Sequence, residues 1–116
     1  MERDKLFTLK PDFQKDGAGR FYCPDSLKIE GVLAYYPELN AKLDVVRVDF
    51  PRPRKAIVDA IGVANQGAPV LVLSTANAAR ATGPAVKSAE GHRFIDDPGA
   101  ILAYVADTYG VGRPIS

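Results

Sequence analysis

The sequence predicts an α/β domain with one four-stranded mixed sheet and helices on both faces, in the order β-α-β-α-β-β-α. Three observations carry this prediction. Strand-like apolar runs alternate with segments of helical periodicity. The run Pro69-Val-Leu-Val-Leu is continuous in the way of a strand buried on both faces. Two helices have clear start signals, at Cys23-Pro24-Asp25-Ser26 and at Asp97-Pro98.

Residues 5–9 (Lys-Leu-Phe-Thr-Leu) read as a first strand, ended by Lys10-Pro11. Residues 11–20, with Pro11, Asp12, Asp16, Gly17 and Gly19, read as a loop. Pro24 suits a first helical turn, which makes Cys23 the N-cap, and Ile29, Val32, Leu33 and Tyr36 form one apolar stripe before Pro37. Residues 43–50 are β-branched and partly alternating, a second strand. Pro51 and Pro53 break the chain, and Ala56, Ile57, Ala60, Ile61 and Ala64 then mark a second helix. Residues 74–91 are rich in Ala, Ser, Thr and Gly, with a short helical turn expected over Asn77 to Ala81. Residues 92–95 read as a short strand pairing antiparallel with the third. In the last helix Asp97 caps, Ile101, Leu102, Val105 and Tyr109 face inward, and Gly110 stops it.

One domain over residues 1–116 is expected, since no linker, repeat or heptad divides the chain. With 47% hydrophobic and 25% charged residues the composition is that of a folded globule. The balance of 15 basic against 14 acidic residues gives no bulk electrostatic argument for nucleic acid or membrane. No apolar run approaches the roughly 18 residues of a membrane span, and no signal-peptide core follows the N-terminus. A single cysteine excludes an internal disulfide and suits a reducing compartment, so a cytoplasmic protein is expected. One histidine argues against a His-rich metal site, and no cofactor is required.

The element order resembles the thioredoxin fold in its glutaredoxin and glutathione-transferase N-terminal-domain form. Cys23-Pro24-Asp25-Ser26 stands where that superfamily carries its CxxC or CxxS motif, after the first strand and at the start of the first helix. Gly67-Ala68-Pro69-Val70 resembles the family's cis-proline segment, and the run from Phe94 to Gly110 is similar to the end of transferase N-terminal domains. Arg20-Phe-Tyr-Cys-Pro24 also resembles a segment of small uncharacterised bacterial thioredoxin-like proteins. Four departures stand out. The loop before Cys23 is long, Pro98 replaces a serine of the transferases, residues 74–91 replace a tight hairpin, and the helical second domain is absent.

Cys23 is the candidate nucleophile. At a helix N-cap, free N–H groups and the helix dipole favour a thiolate, while Asp25 opposes it. Ser26 Oγ is a candidate donor to that thiolate but cannot resolve a mixed disulfide, so the chemistry would be monothiol, with the second thiol supplied by glutathione or a protein. The competing reading makes Cys23 a small, mostly buried helix-start residue. The resemblance implies that Pro69 is cis and that Ala68 offers its backbone to an extended thiol ligand. The alternative is a trans proline opening a strand. Arg52, Arg54 and Lys55, with Asn65 and Gln66 nearby, are candidates for holding a carboxylate, although a solvated turn explains each singly. Asp96 and Asp97 are candidates for a ligand amine, Asp97 being equally an N-cap. Tyr22 is a candidate cleft residue.

The leading expectation is a monothiol, glutaredoxin-like thiol–disulfide exchange protein, with glutathione or a partner-protein disulfide as its counterpart. The alternatives are a non-catalytic thioredoxin-like binding module and half of a transferase-like assembly completed by another chain.

Overall fold

The computed structural model describes residues 1–115. Strand β1 (Lys5–Leu9) leads into a hairpin of β2 (Phe13–Lys15) and β3 (Ala18–Phe21), then into helix α1 (Pro24–Tyr35). A 3-10 turn over Pro37–Ala41 precedes β4 (Asp44–Val48), α2 (Lys55–Ile61), β5 (Val70–Val72) and α3 (Thr75–Arg80). β6 (Lys87–Ala89), β7 (His92–Ile95) and α4 (Pro98–Tyr109) follow.

The main sheet has five strands in the order β4-β1-β5-β7-β6. β1 and β4 are parallel, because α1 carries the chain back between them, and the other pairs are antiparallel. Period-two alternation sends successive side chains to opposite faces. Leu6, Leu71, Leu73 and Ile95 pack with Ile29 and Leu33 of α1 and with Ile101 and Val105 of α4. Phe7, Val70, Val72 and Phe94 turn the other way, onto Ile57 and Ile61 of α2. The mixed α/β sheet with helices on both faces therefore agrees with the sequence.

The strand count does not. The expected four-stranded sheet has five strands, and a separate two-stranded sheet, β2–β3, occupies what read as a loop over residues 11–20. The cause is the same at both additions. Asp16 and Gly17 have φ of 54° and 76°, and Glu90 and Gly91 have 52° and 76°. Two consecutive positive φ values make the tight two-residue turn whose twist matches paired strands. β2 and β3 are three and four residues long, and β6 is three, too short to show alternation. In the segment 74–91 the helix begins at Thr75, capped by the Ser74 hydroxyl.

A buried carboxylate ties the N-terminus to this frame. Asp4 has no exposed surface and accepts from Ser74 N–H (2.7 Å), Asn77 Nδ2 (3.1 Å), Tyr104 Oη (2.7 Å) and Tyr109 Oη (2.6 Å). Burial pushes the Asp4 carboxyl up, but the hydrogen bonds from Ser74, Tyr109, Tyr104 and Asn77 together outweigh it and hold the group below its ordinary value. Burial and the bond to Asp4 raise both tyrosines.

Asp4→Asn is expected to lower stability at pH 7 by about 2–4 kcal/mol, because charged hydrogen bonds are lost in a buried site. The sign of the pH dependence follows from the depressed folded value. The stabilisation is present above the unfolded pKa of about 3.9 and is lost as pH falls through the folded one. Urea unfolding at pH 7 and pH 3 should show the gap between native and variant closing at the lower pH.

Candidate functional site

β5 begins only at Val70, directly after a cis Ala68–Pro69 peptide bond, so its ladder with β1 ends at the Phe7–Val70 pair. On the other side β1 runs on against β4, with Lys10 N–H bonded to the Val48 carbonyl at 2.9 Å. Leu9 N–H is left facing the gap where β5 has not yet started. The Ser26 hydroxyl oxygen accepts it at 3.0 Å, and Ser26 is only 2% exposed. A buried N–H without a partner would be costly, so this bond pins the first turn of α1 onto the end of β1.

Cys23 consequently sits in the N-cap position with extended backbone, followed by Pro24 in the first turn. Its Sγ accepts the Ser26 N–H at 3.4 Å and lies 4.0 Å from the Ala68 carbonyl oxygen. The thiol is half-buried between the helix start and the residue before Pro69. Ser26 thus meets Cys23 through its backbone N–H, while its hydroxyl is bonded to Leu9.

Arg54 is buried at 7% exposure. Its Nε donates to the Phe50 carbonyl (2.9 Å) and one terminal nitrogen to the Gln66 carbonyl (2.8 Å), and the guanidinium stands 5.4 Å from the Phe50 ring centre. The Gln66 amide oxygen in turn accepts Arg54 N–H at 2.8 Å. Among the described residues no carboxylate pairs with Arg54. Burial, then the Arg52 charge, lower the Arg54 pKa. The pairing of Arg54 with Gln66 braces the turn after Val48 against the segment leading into Ala68.

Of the remaining residues singled out from sequence, Tyr22 is 57% exposed next to the thiol and Arg52 is exposed on the turn before α2, at a second cis bond, Arg52–Pro53. Asp97 lies at the same end of the sheet, since β7 runs antiparallel to β5. Its carboxylate accepts Ala100 N–H at 2.8 Å and caps α4. The site also holds parts that sequence reading passes over. Phe13 of the hairpin stacks on Phe50 at 4.2 Å and 4°, beneath Arg54. Glu30 accepts Arg47 Nε (2.9 Å), another Arg47 nitrogen (2.7 Å) and the Thr8 hydroxyl (2.8 Å). Burial raises the Glu30 carboxyl, but the bonds from Arg47 and Thr8 hold it below its ordinary value. The Asp-Gly turn signal at residues 16–17 was the available clue to the hairpin.

Among the described residues no cluster of three or more His, Cys, Asp or Glu is placed to hold a metal ion, and no helix is long and apolar enough to cross a membrane. Fold and site define an α/β domain in which a cysteine-capped helix faces the edge of a cis-proline segment. The chain belongs to the family described as Protein of unknown function (DUF3088), whose profile matches residues 3–113. No curated protein and no solved structure matches it.

Ser26→Ala is expected to cost about 1–2 kcal/mol in denaturant unfolding, because Leu9 N–H loses its buried acceptor. Native-state hydrogen exchange at Leu9 should accelerate in the variant in parallel.

Proposed function

We propose that the protein is a thioredoxin-like monothiol exchange protein whose working thiol is Cys23 and whose counterpart is glutathione or a glutathione-like mixed disulfide. The observation that carries this reading is the Cys23 thiol at the α1 N-cap, 4.0 Å from the carbonyl of the residue preceding a cis-proline. The strand order β4-β1-β5-β7, with one parallel pair followed by two antiparallel ones, supports the thioredoxin-like fold.

In the proposed cycle the Cys23 thiolate attacks a glutathione mixed disulfide at the glutathione sulfur. The new S–S bond joins Cys23 to glutathione, and the substrate thiolate departs with the electron pair of the broken bond. A second glutathione thiolate then attacks that disulfide, releasing glutathione disulfide and restoring Cys23. Ser26 N–H and the first turn of α1 favour the thiolate as nucleophile and as leaving group. Ala68 N–H, which donates to no group among the described residues, and the Ala68 carbonyl supply an edge for the ligand's extended backbone. Arg54, positively charged and without a carboxylate partner, favours negative charge at the thiol. Exposed Arg52 and Tyr22 border the approach. The protein is proposed to work in the cytoplasm. A second reading, a non-catalytic binding module, draws on the Sγ acting as the helix cap, a role that a neutral thiol also fills.

The test is glutathione-dependent reduction of a small glutathione mixed disulfide, with mass detection of the Cys23 adduct. The native protein should turn over, Cys23→Ser should be inactive, and Arg54→Gln should be slower by about tenfold, the effect of roughly 1.4 kcal/mol at the transition state. A native protein that neither turns over nor forms the adduct contradicts the proposal and leaves the binding-module reading.

A further inference from the structure

Beside the thiol, on the β4 side of β1 and so away from Ala68, lies a hollow of about 250 Å³. Leu9, Pro11, Tyr22 and Leu27 give it an apolar lining, and Cys23, Ser26 and the Glu30–Arg47 pair line the rest. Pro11 and Tyr22 are the two feet of the β2–β3 hairpin, standing just before β2 and just after β3. The inserted hairpin therefore builds two of the walls. Phe13 holds it down by stacking on Phe50. The charged end is already matched, since Arg47 raises the hold on Glu30 through two hydrogen bonds and Thr8 adds a third.

We propose that this hollow is a subsite for a compact apolar group, of the size of a phenyl ring or a short branched alkyl chain, attached directly to either sulfur of the bond that Cys23 opens. The occupant follows from the lining and the volume. The walls offer hydrocarbon, the paired charges offer no free counter-ion, and the space is below the 300–1,000 Å³ of a drug-sized pocket. Because Cys23 lines the hollow, a group bonded to a reactive sulfur is delivered into it. On this reading, which rests on the proposed thiol chemistry, Ala68 and the hollow face the two halves of a mixed disulfide. One side takes the glutathione-like backbone and the other the apolar thiol that leaves.

The experiment compares the labelling rates of the native protein with methyl and benzyl methanethiosulfonate. In each case the Cys23 thiolate attacks the sulfenyl sulfur, the S–SO2 bond breaks and methanesulfinate leaves with the electron pair. The benzyl-to-methyl rate ratio, divided by the same ratio for the urea-unfolded chain, should be about tenfold, the effect expected of burying most of a phenyl ring. Leu27→Glu, at a half-exposed helix position, should bring the normalised ratio to within about twofold of one by placing a charge in the wall. Tyr22→Ala should lower it as well and serves should Leu27→Glu not fold. A native ratio equal to that of the unfolded chain, or ratios unchanged by both variants, overturns the subsite. The absolute methyl rate reports on the thiol alone, so a slow thiol with a high ratio contradicts the exchange reading and not the hollow.

Discussion

The geometry of the site depends on one backbone donor, the N–H of Leu9. β1 is paired on both sides up to Phe7, but β5 enters late because Pro69 supplies no N–H. Leu9 N–H therefore points into the sheet gap, and the buried hydroxyl of Ser26 is what satisfies it. Once Ser26 is fixed there, the first turn of α1 cannot slide, and Cys23, three residues earlier, is set beside Ala68. The serine in the Cys-Pro-Asp-Ser segment thus places the cysteine, and its backbone N–H does the rest.

Two buried charges frame this arrangement and are handled in opposite ways. Asp4 is surrounded by donors from the start of α3 and from α4, so its charge is fully met and its role is to fasten the N-terminus. Arg54 is met only by carbonyl oxygens and an aromatic face, with no carboxylate partner among the described residues. A guanidinium retained in that condition carries a positive charge that no carboxylate among the described residues balances. The proposed exchange chemistry uses that imbalance, whereas Asp4 has no part in it.

The helices and central strands were legible because their signals are local. Asp97, Pro98 and Gly110 delimit α4 to the residue, and the continuous apolar run of Val70 to Val72 needs no tertiary context. Cys23 as an N-cap was legible for the same reason. The β2–β3 hairpin was not, because its strands are too short for alternation and leave the Asp16-Gly17 turn signal without flanking strand patterns. Arg54 illustrates a deeper limit. Its neighbours in sequence are exposed, and only the carbonyls of Phe50 and Gln66, brought together by the fold, turn it inward. Ser26 likewise reads as a candidate thiol partner from spacing, whereas the acceptor role of its hydroxyl oxygen toward Leu9 N–H depends on another element.

The central claim is that the fold itself makes Cys23 a working thiol, through the α1 start, the Ala68 edge and Arg54. The most direct measurement is the second-order rate of Cys23 with glutathione disulfide at pH 7, in the native protein and in the urea-unfolded chain under matched conditions. The account predicts a native rate at least about tenfold above the unfolded one, a difference of roughly 1.4 kcal/mol in barrier. A native thiol that reacts no faster than the unfolded one, or that is protected by the fold, would contradict it.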